Sequence, residues 1–322
     1  MRALIVLAAA ALAAALLGLA TGTQGIEPAL AWQAFFEDAG TAHDIVLGLR
    51  APRVLAAMGC GALLALAGTL LQALLRNPLA DPFVLGISGG AAACSLLALL
   101  FGYAGAMTLA GMGGALASTA MLFALAWRGG LLPIRLLLAG VILSAAWGAL
   151  ITLTLALAPD APLRGMVFWL MGDLSHVAPA AAPWPLAIAV LAVLAALPLA
   201  RGLDALVHGE LSAAALGVAV GPLRTVALAL AAAITAIVVV QVGSIGFVGL
   251  VTPHLLRLAG VRRHRVLLPA AALAGGTLLV LADVAARAAM APLQLPVGAI
   301  TAALGAPLFL WLLARTTPRS AR

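Results

Sequence analysis

The chain has 322 residues, of which 65% are hydrophobic and only 8% are charged. A soluble domain carries about 25% charged residues, so a chain this apolar is solvated mainly by lipid. All 17 basic residues are arginine, and the absence of lysine excludes a phosphate-binding P-loop, which requires one. The net charge of +7 comes with only 5% aromatic residues and no basic patch interleaved with them, which favours charged flanks of membrane helices over nucleic-acid binding.

Apolar runs long enough to cross a bilayer recur along the whole chain. A spanning helix needs about 20 mostly apolar residues. We predict an all-α polytopic membrane protein with one transmembrane domain, residues 1–322. Its ten spanning helices are expected near residues 3–22, 53–75, 83–101, 105–127, 133–157, 184–200, 224–242, 245–259, 267–290 and 297–314. The first run resembles a signal peptide, but no clear cleavage site follows it, so we predict that it is retained.

The arginines predict the orientation of these helices. With a cytoplasmic N-terminus, 13 of the 17 arginines fall in inner segments. The four outer arginines are Arg50, Arg53, Arg164 and Arg287. Positive residues accumulate on the cytoplasmic side, so both termini are predicted to be cytoplasmic, which requires an even number of helices.

Two stretches between the predicted helices are unusual. The outer segment 158–183 is interrupted by prolines, and residues 165–172 within it are apolar but too short to span, which suggests a re-entrant or interfacial half-helix. Only Gly243 separates the seventh predicted helix from the eighth. The small-residue motifs Gly86-x-x-x-Gly90 and Gly111/Gly113/Gly114 receive no specific role, because glycine is common in membrane helices.

Four motifs stand out from the Ala/Leu background. They are Arg76–Ala91 (RNPLADPFVLGISGGA), Gly243–Arg257 (GSIGFVGLVTPHLLR), His264–Pro269 (HRVLLP) and Leu295–Pro307 (LPVGAITAALGAP). In the first, Asn77 and Asp81 are suited to cap backbone donors. In the second, close glycines and Pro253 indicate an irregular, tightly packed helix, in which the lone His254 is expected to be a packing or interface residue rather than a ligand.

Together these motifs resemble the FecCD/cobalamin-permease family, the membrane subunits of type II ABC importers. The resemblance implies a homodimer in the bacterial inner membrane, with the substrate path along the dimer axis. It implies two cytoplasmic ABC ATPase subunits and a periplasmic substrate-binding protein as partners. The implied substrate is a ferric siderophore, with cobalamin and haem as alternatives. No metal site, cofactor or catalytic residue is predicted in this chain.

The resemblance also assigns roles to particular residues. Arg50-Ala-Pro-Arg53 matches an outward-facing R-x-P-R motif that meets acidic residues of the binding protein, and Arg287 is the candidate for a third docking arginine. Reversal of Arg50 and Arg53 to glutamate is expected to slow docking and leave folding intact. The alternative is that both arginines only flank the second helix.

Further roles are expected at the inner end. Asn77 and Leu79 match positions at the cytoplasmic gate, although a capped turn without a gating role is equally compatible. The inner segment 201–223 matches a loop of short helices that sits in a groove of the ATPase. Its predicted coupling residues are Gly209, Glu210, Ala214, Leu216 and Gly217.

Two other classes of membrane protein are less compatible with the sequence. An ion-coupled secondary transporter commonly needs several buried carboxylates, and this chain has one deep acid, Asp283, for which Arg287 is a possible i,i+4 partner. A membrane metalloprotease would need H-E-x-x-H, which is absent.

Overall fold

The computed structural model describes residues 2–22, 43–127, 132–175 and 177–316. The outer segment 23–52 is therefore described only in part. Arg128, Arg319 and Arg322, which supported the predicted orientation, lie outside the described residues.

The regular structure of the described residues consists of helices. In chain order they are α1 (Arg2–Ala20), α2 (Ala51–Leu74), α3 (Ile87–Leu100), α4 (Met107–Trp127), α5 (Pro133–Leu157), α6 (Asp160–Leu170), α7 (Trp184–Ala196), α8 (Ala200–Val207), α9 (Glu210–Ala215), α10 (Val220–Val242), α11 (Val248–Leu258), α12 (His264–Ala288) and α13 (Val297–Thr316). A π-helical turn, Asp44–Arg50, leads directly into α2, and a 3-10 turn, Leu197–Leu199, joins α7 to α8.

Seven helical stretches of the described chain are long and apolar enough to cross a membrane: α1, α2 with its preceding turn, α4 with its preceding turn, α5, α7 continued into α8, α10 and α12. Three shorter apolar helices, α3, α11 and α13, accompany them. The prediction of an all-α polytopic membrane protein is thus confirmed. The count of ten spanning helices and the cytoplasmic location of both termini stay predictions.

The break expected at Gly243 is present. Helix α10 ends at Val242, and Gly243 has a φ of +73°, a left-handed conformation that favours glycine. A Cβ atom on Gly243 would lie 1.9 Å from the carbonyl oxygen of Trp169, so a side chain is also excluded sterically. The short helix expected in the outer segment is α6, whose C-terminus packs against this break. The backbone N–H of Asp173 donates to the carbonyl of Val242 at 2.9 Å.

Helix α2 forms the centre of the bundle and is buried along almost its whole length. Its glycines allow neighbouring backbones to approach. A Cβ on Gly61 would lie 2.3 Å from the carbonyl oxygen of Gly275 in α12, and one on Gly68 would lie 1.9 Å from that of Gly249 in α11. Close backbone contact of this kind drives helix packing in membranes, where lipid removes most of the hydrophobic contribution.

The glycines of α3 and α4 divide into packed and open positions. A Cβ on Gly114 would lie 2.1 Å from the carbonyl oxygen of Gly90, so these two residues form a close helix crossing. At Gly113 a Cβ would meet nothing within 4 Å. Gly90 and Gly114 therefore have a packing role that their sequence spacing alone could not assign.

Polar contacts gather at the two ends of α2. Arg53 lies in its first turn and Gln72 near its last residue, so their backbones are separated by roughly 30 Å, about the thickness of the hydrocarbon core. We call the set at the first end, Arg50, Arg53, Asp283, Arg287 and Gln294, the outer cluster, after the orientation predicted above. The opposite end, which includes the loop 76–81 and helix α9, is called the inner end.

Candidate functional site

The outer cluster is built around one carboxylate. Arg53 Nε donates to Asp283 Oδ1 at 2.7 Å, and Arg53 Nη1 donates to Gln294 Oε1 at 2.8 Å. Arg287 Nε lies 3.0 Å from Asp283 Oδ2, an ionic contact without hydrogen-bond geometry. The pairing of Asp283 with Arg287 is confirmed, and Arg53 is an additional partner that lies 230 residues away in sequence.

The same arginines hold the C-terminus of α1. Arg50 Nη1 donates to the carbonyls of Leu19 and Ala20 at 2.9 and 3.0 Å. Arg287 donates to the carbonyl of Thr21 at 2.7 Å and to that of Gly18 at 3.1 Å. The last carbonyls of a helix lack intrahelical donors and carry partial negative charge, which cations stabilise. The outer cluster therefore attaches α1 to α2 and α12.

The three predicted docking arginines border one cavity of about 340 Å³, which Ser175 and Gln294 also line. Arg50, Arg53 and Arg287 are nevertheless 5%, 8% and 5% exposed. This burial argues against the expectation that reversing Arg50 and Arg53 to glutamate would leave folding intact. A glutamate at position 53 would face Asp283, and one at position 50 would face the carbonyls of α1, so both changes would bury repulsive contacts.

At the inner end, the loop after α2 forms two capped turns. Asn77 Oδ1 accepts from the backbone N–H of Leu79, and Asp81 Oδ1 accepts from that of Phe83, both at 2.9 Å. The predicted capping roles of Asn77 and Asp81 are confirmed. Burial raises the pKa of Asp81 to about 6, and its hydrogen bond from Phe83 acts in the opposite direction. Leu79 is exposed, and its gating role, like that of Asn77, stays a prediction.

The predicted coupling segment contains the expected short helices, α8 and α9. Ala214, Leu216 and Gly217 are exposed, whereas Gly209 and Glu210 are half-buried. Leu211 was missed by sequence reasoning, although it is 88% exposed and lies in the same short segment as Leu216, which is 74% exposed. Its only sequence signal is an apolar residue at the start of a short helix in an inner segment of mixed polarity.

Glu210 joins this segment to two other elements. Its Oε1 accepts from Arg224 Nη2 at 2.5 Å, which ties α9 to the first turns of α10. The same oxygen lies 3.9 Å from Arg76 Nη2, in the loop after α2. The hydrogen bond from Arg224 lowers the pKa of Glu210, against the opposing effect of burial, so the side chain is ionised at neutral pH.

The remaining motifs supply structural contacts at the inner end. Gln72 donates to the carbonyls of Gly249 and Leu250 at 3.3 and 3.1 Å and accepts from Arg257, which fixes α11 to the end of α2. Asp204 Oδ1 accepts from the backbone N–H of His264 at 2.9 Å and lies 2.6 Å from its Nδ1, at the start of α12.

His254 packs against the ring of Phe309 with the centroids 5.7 Å apart. This contact confirms the predicted packing role of the histidine.

Comparisons with known proteins match nearly the whole chain. The model of the FecCD transport family matches residues 10–315. The vitamin B12 import system permease proteins BtuC of Escherichia coli strains E24377A, IAI1 and SE11 are each 40% identical over 314 residues, which cover 96% of this chain and 94% of the relative. A solved structure of an inward-facing ABC transporter, provisionally assigned to the metal-chelate type, is 31% identical with a TM-score of 0.85, over 98% of this chain and 99% of the other.

Proposed function

The chain belongs to the FecCD transport family and is a multi-pass permease of the ABC importer class, and we propose that it carries a corrinoid of the vitamin B12 type. The observation that carries this choice is the 40% identity to vitamin B12 permeases over 96% of the chain. A ferric chelate, which the family resemblance placed first, is the second candidate, favoured by the fold shared with a metal-chelate type transporter.

The proposed assembly is a homodimer in the bacterial inner membrane, with residues 1–322 of each copy forming one transmembrane domain. Two ABC ATPase subunits bind its cytoplasmic face and a periplasmic binding protein delivers the chelate. Membership of an importer family supports the ATPase and the binding protein as partners. The lysine-free sequence supports placing the P-loop, and hence ATP hydrolysis, on another chain.

The environment of Asp283 disfavours ion-coupled transport. A coupling carboxylate must exchange a proton or sodium ion during each cycle. Asp283 is 1% exposed, and its two oxygens contact Arg53 and Arg287. Among the described residues this carboxylate is engaged by two guanidinium groups rather than open to an exchanging ion.

Reconstitution distinguishes these possibilities. The chain is placed in proteoliposomes with the ATPase subunit and the binding protein of the same organism, and uptake of radiolabelled cyanocobalamin and ferric hydroxamate is measured. We expect ATP-dependent accumulation of cyanocobalamin, no uptake without the ATPase, and no ATP hydrolysis by the chain alone. Accumulation of the ferric chelate alone would replace the proposed substrate, and uptake driven by an ion gradient without the ATPase would refute the permease mechanism.

We further propose that the cavity beside the outer cluster receives an acidic side chain of the binding protein. Arg53 and Arg287 share the single carboxylate of Asp283 among the described residues, and guanidinium groups bind carboxylates in bidentate fashion. The cavity of about 340 Å³ provides room for such a side chain next to Arg53 and Arg287. Together with the R-x-P-R motif, this geometry supports docking without requiring fully exposed arginines.

Gln294→Glu tests docking without disturbing the buried charges. Gln294 is exposed, lines the cavity and accepts a hydrogen bond from Arg53, which glutamate can also accept. The added negative charge should repel the incoming acid and slow association with the binding protein, most strongly at low salt. Stopped-flow association with Gln294→Met as the uncharged control measures the effect. Equal association rates for both variants at low salt would place docking elsewhere.

A further inference from the structure

The contact between the loop after α2 and helix α9 has a consequence for coupling. We propose that Arg76 and Glu210 are positioning residues that transmit movement of the segment Gly209–Gly217 to the loop Arg76–Asp81. The inference rests on the proposed function, in which the segment binds the ATPase and the loop is the cytoplasmic gate. It assigns a role to the ionic contact between Arg76 and Glu210, the one that the described residues show between the loop and the segment.

Glu210 is held firmly on one side of this contact. Its hydrogen bond of 2.5 Å comes from Arg224, whose side chain is only 3% exposed in the first turns of α10. The carboxylate therefore ties α9 to the first turns of α10, so these two elements move together. Because the same Oε1 atom faces Arg76, movement of α9 and the start of α10 relative to the loop changes the distance between Glu210 and Arg76.

The backbone around the contact keeps the two groups close. Gly209 has a φ of +112°, a conformation that residues with side chains rarely adopt. Its Cα also faces Arg76, since a Cβ there would lie 3.7 Å from Arg76 Nη1. The turn into α9 thus brings the start of the helix against the arginine with no side chain between them.

On the other side, the loop is linked internally. The backbone N–H of Asn77 donates to the carbonyl of Gln72 at 3.2 Å, and that of Ala80 donates to the carbonyl of Asn77 at 3.1 Å. With the hydrogen bond that Leu79 N–H donates to Asn77 Oδ1, these contacts link Arg76, Asn77 and Leu79 into one hydrogen-bonded turn. A force on Arg76 is therefore passed to the two predicted gate residues.

The weakness of the contact suits a link that must adjust during a cycle. The distance is 3.9 Å, and the side chains of Arg76 and Glu210 are 41% and 33% exposed. Exposed pairs of this kind contribute little to folding stability. Loss of the Arg76 charge should consequently affect coupling while leaving the fold and the Glu210–Arg224 bond intact.

The test compares Arg76→Gln with Arg262→Gln in the reconstituted complex with its ATPase subunit and binding protein. Arg262 is exposed in the inner loop between α11 and α12, lies outside the segment 201–223 and makes no ion pair in the described part of the chain, so it controls for loss of an inner arginine. The readouts are affinity for the ATPase subunit, ATP hydrolysis, and chelate transported per ATP. For Arg76→Gln we expect unchanged affinity, continued hydrolysis and a fall in chelate per ATP of about two- to fivefold, which corresponds to the contribution of an exposed ion pair. Arg262→Gln should match the wild type.

Glu210→Gln supplies a second arm, because it retains an acceptor for Arg224 but removes the charge that faces Arg76. If the two residues act as one link, the double variant Arg76→Gln/Glu210→Gln should lose no more chelate per ATP than the more affected single variant. Wild-type chelate per ATP in Arg76→Gln, or additive losses in the double variant, would overturn the inference while leaving ATPase binding established. Failure of the wild-type chain to bind the ATPase would instead refute the proposed function.

Discussion

Replacing Asp283 with alanine is expected to lower the free energy of unfolding by about 3–5 kcal/mol, because it leaves buried charges without their partner. Arg53 and Arg287 both contact this carboxylate, and both guanidinium groups are buried at the outer end of α2 and α12. The two arginines would then repel each other with no anion between them. Since Arg287 also binds the carbonyls of Gly18 and Thr21, the attachment of α1 should loosen as well.

Thermal and denaturant unfolding of the purified chain in detergent measures this effect. Asp283→Asn should fall between wild type and alanine, because an amide oxygen can still accept from Arg53 but carries no charge. Asp160→Ala is the matched control, since Asp160 is an exposed acid in the first turn of α6 and its loss should cost only about 0.3–1 kcal/mol. A loss at Asp283 no larger than the loss at Asp160 would show that the outer cluster does not stabilise the bundle.

Some contacts of the outer cluster could be predicted from the sequence, and others could not. Asp283 and Arg287 are four residues apart in a long apolar run, so helical geometry alone predicts their pairing. Arg53 pairs with Asp283 through the crossing of α2 and α12, which depends on close contact between Gly61 and Gly275. Sequence periodicity gives the position and length of a helix, but it does not specify which helix crosses it or at which residue.

The burial of the arginines illustrates the same limit. Arg50 and Arg53 lie at the start of a helix on the predicted outer side, where sequence reasoning expects solvent-exposed flanks. Their partners include the final carbonyls of α1, and backbone acceptors carry no sequence signal. Local features were recovered more completely, as the caps at Asn77 and Asp81 and the break at Gly243 demonstrate, because each depends on a few adjacent residues.

The inner end gives a similar contrast. The segment 201–223 was expected to contain short helices from the motif it matches, and α8 and α9 are present. The bridge from Glu210 to Arg224 and Arg76 was not expected, because it joins residues from three separate elements. The exposure of Leu211 and Leu216 could not be predicted from sequence either, since an apolar residue in an inner segment is as compatible with burial as with exposure.

Replacing both Leu211 and Leu216 with aspartate is expected to weaken binding of the ATPase subunit by about 100-fold, since loss of an apolar anchor of an interface costs about 1–2 kcal/mol and each 1.4 kcal/mol is a factor of ten. Leu211 in α9 and Leu216 at the C-cap of that helix are 88% and 74% exposed, and neither belongs to the hydrophobic core of the described residues. Insertion into a groove of the ATPase would bury both side chains. An aspartate at either position would carry a charge into that groove, and uptake should be abolished.

Because both leucines are exposed, a loss of binding can be separated from a loss of folding, since surface substitutions usually change the free energy of unfolding by only about 0.5 kcal/mol. Binding of the labelled ATPase subunit to the chain in nanodiscs gives the affinity, and unfolding in detergent verifies the fold. Leu258→Asp is the matched control, since Leu258 is an exposed leucine at the end of α11 and lies outside the segment Gly209–Gly217. Retained affinity in the double variant, or an equal loss in Leu258→Asp, would show that this segment is not the specific attachment point. A selective loss in the double variant would mean that the segment Gly209–Gly217 connects the ATPase subunit to the permease. Only with this connection can Glu210 pass movement of the ATPase subunit to Arg76.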